Sequence, residues 1–530
     1  MNKKKQLRLK KIKLHPISTY IVLVLATIIL SKILSLLNFR TTYSTVSAID
    51  LSIIQNTVTV ENLLSFEGLK EIISNATKNF ISFAPLSTFL LMVIGISILE
   101  VSGCFNYFNK KIFSKIDNKI ITFIIILLAT ISTIINDTGY TILIPLSAII
   151  YKEKGRNPLS GIIAAFCGVA FGSGTTVFVG STEVSLIPYT TGAARLVNPT
   201  YHVSLLSNLY IMIISSIVLA IVGTIIVEKI IVPKFGKMKA SKELVVEDAI
   251  EVIDVSNEED RLNEEYLEKR GVKYFLIASI TMVIACIYCL IPKLPLSGLL
   301  LDMSETTYLK QLFGDNSYFQ NGFTYMIFLL FVVSGIAYGI GSKKFKSDKD
   351  IFKLCHDNLK DLGGVIMLIF LASQFIAIFK KTNIGLVVTG IAANIIDSLN
   401  FSGIPLLIIA VVLIAISNLF FTSSSGKWEI LAPVIIPPLM QSNISPQFLQ
   451  FVFRMGDSIT TGITPLSAFF VIFLAYMNIY NTDKEKSIGI FEAIKLITPY
   501  FVIISLTWLL LLIGWYIIGL PIGPNVSPLV

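Results

Sequence analysis

Runs of about twenty apolar residues, separated by short lysine-rich segments, recur along this chain and leave it one solvent in which to fold. Twenty helical residues cover the roughly 30 Å hydrocarbon core of a bilayer, where each segment must satisfy its own backbone N–H and C=O groups. The first run, Ile17 to Leu37, follows Lys3, Lys4, Lys5, Arg8, Lys10, Lys11 and Lys13 and lacks a small-residue cleavage site, so it reads as a retained span. Of 530 residues, 54% are hydrophobic and 15% charged, more apolar surface than a soluble core of this size hides. A net charge of +9 would point to nucleic acid in a soluble protein. Here Lys and Arg gather between the apolar runs, so the charge reports membrane topology with the N-terminus cytoplasmic. The expectation is a multi-pass inner-membrane protein, with lipid and not nucleic acid around it.

One apolar run behaves differently. From Ile120 to Ile150 it is broken by Asn136-Asp137-Thr138-Gly139, and lysines flank both ends: Lys110, Lys111, Lys115 and Lys119 before it, Lys152, Lys154 and Arg156 after. Both ends therefore read as cytoplasmic, which makes residues 120–150 a re-entrant hairpin. Residues 404–440 repeat the pattern around Thr422-Ser423-Ser424-Ser425-Gly426-Lys427, but their flanks carry no Lys or Arg, so this hairpin should open outside. The remaining runs give nine spans: Ile17–Leu37, Phe83–Leu99, Leu159–Gly180, Leu205–Val232, Tyr274–Ile291, Tyr325–Ile340, a broken Asp361–Leu399, Phe448–Tyr480 and Ile497–Leu520. The polar segment Thr41–Lys78 reads as an outer connection. Residues 1–16 form a basic cytoplasmic tail, 17–232 and 274–520 two halves, 233–273 a charged cytoplasmic linker and 521–530 an external tail.

Opposed hairpins imply an inverted repeat. A shift of 288 positions aligns Pro145 with Pro433, Pro158 with Pro446, Gly168 with Gly456, Gly174 with Gly462 and Thr176 with Thr464. Each matched proline or glycine marks a backbone break in both halves. The fold class is thus an all-α polytopic membrane protein with nine transmembrane helices plus two oppositely oriented re-entrant hairpins in an inverted repeat. Such repeats put the solute near the midplane, at the ends of broken helices.

Two constellations occupy those positions. One joins Asn136, Asp137, Thr138 and Gly139 to Ser173, Gly174 and Thr175; the other joins Ser423, Ser424, Ser425, Gly426, Lys427 and Trp428 to Arg454, Asp457, Thr460 and Gly462. Broken helix ends expose N–H and C=O groups carrying partial charge, and small hydroxyl residues let a solute or ion approach them. Asp137, Arg454 and Asp457 each cost about 2.5–3.5 kcal/mol at membrane depth on insertion scales. They serve substrate or ion coupling, or Arg454 and Asp457 form a structural pair on one helix face. Trp428 is either an aromatic platform or an interfacial anchor, and Lys427 either a carboxylate partner or a snorkelling side chain. Trp508 and Trp515 read as anchors.

Other chemistry lacks a signal. Cys286 and Cys289 form the one CxxC spacing, inside an apolar run, and read as packing. His15, His202 and His356 fall in expected loops, so neither a metal site nor a histidine relay is indicated. No nucleotide loop or nucleophile elbow appears, which excludes an ATP-driven pump and leaves a non-enzymatic secondary transporter without a cofactor. A channel and a membrane receptor remain as alternatives.

Several motifs resemble those of the p-aminobenzoyl-glutamate transporter (AbgT-type) family of bacterial secondary transporters. They are Asn136-Asp137-Thr138-Gly139-Tyr140 running to Ile144-Pro145-Leu146, Gly155-Arg156-Asn157-Pro158-Leu159-Ser160-Gly161 and Val197-Asn198-Pro199-Thr200. The second half adds Gly426-Lys427-Trp428 to Ala432-Pro433, and Arg454-Met455-Gly456-Asp457-Ser458 to Thr464-Pro465. The chain departs at Thr461-Gly462, where the family pattern carries an asparagine. The resemblance implies a bowl-shaped homodimer and proton-coupled movement of p-aminobenzoyl-glutamate, or export of sulfonamide antimetabolites. It carries substrate or coupling roles onto Asp137, Ser425, Trp428, Arg454, Asp457 and Pro465, with the coupling proton on Asp137 or Asp457. A sodium-coupled dicarboxylate carrier is the alternative.

Overall fold

A computed structural model describes residues 14–46, 52–135, 137–236, 258–314, 316–399, 403–483 and 486–530. The basic residues Lys3 to Lys13, Asn136, most of the 233–273 linker, the first residues of the 400–403 flank and Lys484 lie outside the described residues. Among those described, nine helices are long and apolar enough to cross a membrane. The number equals the expectation, but the membership differs. Asn118–Ile135 and Gly403–Phe420, the first arms of the two expected hairpins, are in the set. The expected spans Leu159–Gly180 and Phe448–Tyr480 are not: the first holds the single short helix Pro158–Gly172 and stops before a second, Ser181–Arg195, and the other breaks into Pro446–Thr461 and Phe470–Ile479.

The breaks keep the spacing read from the sequence. Pro158 and Pro446 each open a helix, capped by Asn157 and Ser445 through bonds from Leu159 N–H (3.0 Å) and Phe448 N–H (3.4 Å); at that position the missing proline N–H costs nothing. Pro145 and Pro433 both lie inside the second arms, Thr138–Glu153 and Ser424–Gln441. The halves meet at their breaks. A Cβ on Gly174 would stand 2.9 Å from the Arg454 carbonyl oxygen, and one on Gly462 would stand 2.5 Å from the Phe171 ring, so both positions need a residue without a side chain.

Three features refine or correct the reading above. The Thr41–Lys78 connection is ordered structure: strand Arg40–Val46, rich in β-branched threonine, pairs antiparallel with Ile53–Thr59, Arg40 opposite Thr59. The helix Phe66–Ile81 then starts at Ser65, whose hydroxyl accepts from Gly68 N–H at 3.1 Å. A two-stranded sheet thus accompanies an otherwise helical fold. Secondly, the break in 361–399 falls at Thr382–Asn383, between helices Gly363–Lys381 and Ile384–Ser398, with Asn383 in the left-handed region (φ 60°). There Lys381 meets Glu61 at 3.5 Å and Glu71 at 3.0 Å, pairs exposed enough to contribute little. Thirdly, Trp508 and Trp515 are not surface anchors. Trp508 is fully buried with its indole N–H donated to Phe171 O (3.0 Å), and Trp515 is buried with its N–H donated to Leu520 O (2.9 Å), just past the end of its own helix. His356 likewise sits on the helix Asp348–Leu359 and not in a loop.

Candidate functional site

Between the two sets of breaks lies a cavity of about 320 Å³. The first half contributes Thr133, Asp137, Tyr140, Ser173 and Thr182, and the second Thr422, Ser423, Ser424, Arg454, Asp457, Thr461, Ser467, Ala468 and Phe469. Two helices begin at its wall. Asp137 precedes Thr138–Glu153 without a side-chain capping bond, and Ser423 caps Ser424–Gln441 by accepting from Gly426 N–H at 3.3 Å. First-turn N–H groups and the positive ends of two helix dipoles therefore lie at the cavity, which favours an anionic group there.

The charged side chains are paired across the fold in a way the sequence does not display. Asp457 receives the Lys427 ammonium on Oδ1 and the Ser424 hydroxyl on Oδ2, and the ammonium also donates to Asn418 Oδ1. Asn418 in turn donates to Asp457 O (2.6 Å) and Thr461 Oγ1 (3.0 Å). Arg454 does not pair with Asp457. Its guanidinium meets Glu183, and Nη2 donates to Ser173 O at 2.6 Å. Glu183 holds Gly180 N–H at 3.1 Å with its other oxygen. The i,i+3 pair, one of two readings of the sequence, is thus replaced by two partners brought from other helices, since Arg454 and Asp457 each have a better-placed opposite charge. One-sided loss of a buried pair costs about 3–5 kcal/mol, so both pairs strongly bias the local packing.

The first half's break is built from hydroxyls. Thr133 Oγ1 lies 3.1 Å from Thr175 O, and Thr175 Oγ1 lies 2.7 Å from Ser216 Oγ. Gly139 permits this crowding, because a Cβ there would fall 2.0 Å from Ser132 Oγ. Asp137, on the cavity wall, has no side-chain partner among the described residues.

Of the residues singled out from sequence, Asp137, Ser173, Ser423, Ser424, Arg454 and Asp457 line the cavity together. Lys427 is fully buried behind Asp457, and Thr175 and Thr460 are buried in hydrogen bonds to Met212 O and Ala415 O. Thr138, Gly139, Gly174, Ser425, Gly426, Gly462 and Pro465 stand beside the wall without forming it, and Asn136 lies outside the described residues. Trp428 is fully buried, stacked on Phe453 (centroids 4.6 Å apart) with its N–H donated to Thr190 Oγ1 at 2.8 Å. The aromatic wall of the cavity is instead Tyr140 against Phe469, parallel within 8° at 5.2 Å.

Sequence reasoning missed Glu183 and Asn418. Residues 181–204 fall between two expected spans with no element expected there, whereas Ser181–Arg195 is a helix packed in the core. The signal available was Glu183 three residues after Gly180, where its carboxylate accepts from the N-cap N–H as in one half of a capping box. Asn418 sat unmarked near the end of an apolar arm.

Comparison with known proteins points to one family of transporters. The AbgT putative transporter family matches residues 10–529. The p-aminobenzoyl-glutamate transport protein of Escherichia coli (strain K12) is 31% identical over 97% of this chain and 94% of its own length. Two solved structures are similar. The YdaH transporter of Alcanivorax borkumensis shares 27% identity, covering 96% of this chain and 100% of that one with a TM-score of 0.46. Neisseria gonorrhoeae MtrF, described as illuminating a class of antimetabolite efflux pumps, shares 28% over 97% and 98%, also with a TM-score of 0.46. This multi-pass membrane chain belongs to the AbgT putative transporter family.

Proposed function

We propose that this transporter moves a small carboxylated aromatic solute, p-aminobenzoyl-glutamate or a related antimetabolite such as a sulfonamide, across a bacterial inner membrane, driven by a proton gradient. The observation that carries the reading is one cavity, between the broken segments of both halves, that offers Arg454 and the Tyr140–Phe469 ring pair on facing material. A guanidinium and helix N-termini suit a carboxylate, and stacked rings suit an aromatic body. The cavity volume falls at the lower end of small-molecule sites. Asp137 is the proton carrier: it lines the cavity and lacks a side-chain partner among the described residues, while both oxygens of Asp457 are engaged. Residues 120–150 and 404–440 act as re-entrant hairpins opening to the cytoplasm and to the outside, with the N-terminus cytoplasmic and the protein a homodimer.

Counterflow in proteoliposomes tests the reading. Internal p-aminobenzoyl-glutamate should drive uptake of the labelled solute, a sulfonamide should compete, and a proton gradient should support accumulation at constant Na⁺. Counterflow with a simple dicarboxylate alone, dependent on Na⁺ at fixed pH, would replace it with a sodium-coupled dicarboxylate carrier. Flux that does not saturate and shows no exchange would indicate a channel.

A further inference from the structure

We infer that Glu183 is a resident carboxylate that occupies Arg454 in the empty carrier and gives way to the carboxylate of the solute. The inference rests on the carboxylated-solute reading above and adds a residue to it. Both side chains are buried, Arg454 to 3% and Glu183 to 2% exposure, and they meet as an ion pair. Arg454 forms part of the cavity wall, with Thr182 beside it, while Glu183 stands behind that wall.

The charge balance of the site leads to exchange. Four of its charged groups are consumed in two pairs, Lys427 with Asp457 and Arg454 with Glu183. Among the described residues of the cavity wall a solute carboxylate finds no unpaired cation, and it must separate one pair. Lys427 is fully buried, does not reach the cavity and has Asn418 as a second partner. Arg454 reaches the cavity and stays anchored through Ser173 O at 2.6 Å while its other nitrogen changes partner. Glu183 hangs on one further bond, from Gly180 N–H, in the first turn of a helix that starts at the break. The Arg454–Glu183 pair is therefore the one that opens.

A displaced, buried carboxylate without a cation is costly, so Glu183 takes up a proton as the solute anion enters. The elements packed on its helix bring Arg454 and Asp457, Lys427 and Glu429, Arg40 and Tyr43, and Tyr308 and Lys310. Among the described residues only Arg454 is in ion-pair contact with it. Among the described residues no second cation is in contact to receive the displaced group.

Chemical rescue tests the exchange without requiring transport. Glu183→Gln, purified in detergent, should melt below wild type. 4-Aminobenzoate should restore its melting temperature and neutral 4-aminobenzamide should not, while wild type shifts little with either. Binding of 4-aminobenzoate in weakly buffered solution should take up one more proton in wild type than in the variant, in which Asp137 is unchanged. If Glu183→Gln does not fold, Glu183→Asp retains the charge but retracts it from the guanidinium, and should bind 4-aminobenzoate on the order of tenfold more tightly than wild type. Equal rescue by carboxylate and amide, no rescue, equal proton uptake in both proteins, or weaker binding by Glu183→Asp overturns the inference. Failure of wild type to exchange p-aminobenzoyl-glutamate in liposomes would overturn the transport reading alone, because the rescue is read at equilibrium on the isolated protein.

Discussion

The two halves share one pattern of breaks and spend it on different chemistry. In the second half, the tip helix Ser424–Gln441 and the broken helix Pro446–Thr461 carry Lys427, Arg454 and Asp457, each with an opposite charge in contact. At the matching positions of the first half stand Gly139, Phe166 and Val169, and the break is held by Thr133, Thr175 and Ser216. Asp137 is the exception, a carboxylate without a side-chain partner among the described residues. A repeated backbone thus does not repeat its site. The half that supplies Lys427, Arg454 and Asp457 is suited to hold a charged solute, and the half whose Asp137 has no side-chain partner among the described residues is suited to gain and lose a proton.

Breaking the pairs should have the largest effect. Lys427→Met strands Asp457 in a buried site and should lower unfolding free energy by about 3–5 kcal/mol, and adding Asp457→Leu should recover much of it. Denaturant unfolding in detergent measures both. Full additivity of the two losses would mean the pair is not the stabilising unit. Next comes Arg454→Met, which removes charge-assisted hydrogen bonds worth about 1.5–3 kcal/mol and should weaken p-aminobenzoyl-glutamate binding roughly 10- to 100-fold. Unchanged affinity by titration calorimetry would take Arg454 out of the site.

Trp428 gives a smaller and more selective test. Trp428→Phe keeps the ring against Phe453 but loses the bond to Thr190, at about 1 kcal/mol of stability. Solute affinity should stay put, while Phe469→Ala, on the cavity wall, should reduce it. The opposite ranking would return the aromatic platform to Trp428.

The legible parts of this molecule were those with a one-dimensional signature. Lysine clusters around Asn136–Gly139 and the proline pairs Pro145/Pro433 and Pro158/Pro446 located the helix arms and breaks to within a few residues. The partners were not legible. Arg454 and Asp457 sit three apart, and only the arrival of Glu183 from one helix and Lys427 from another decides that they do not pair with each other. Trp428 beside a tip reads as a platform until the packing of Phe453 and Thr190 turns its ring away. Glu183 lay in a stretch with ordinary polar composition, and hydropathy carries no information about a short buried helix.

The division of labour between the halves is tested most directly on Asp137→Asn in proteoliposomes, with exchange and gradient-driven accumulation measured in the same preparation. Because its carboxylate has no described side-chain partner to lose, the variant should fold with near wild-type stability. It should exchange labelled for unlabelled p-aminobenzoyl-glutamate and fail to concentrate it under a proton gradient. A variant that still accumulates the solute, or one that loses exchange together with accumulation while remaining folded, contradicts the assignment of proton coupling to the first half.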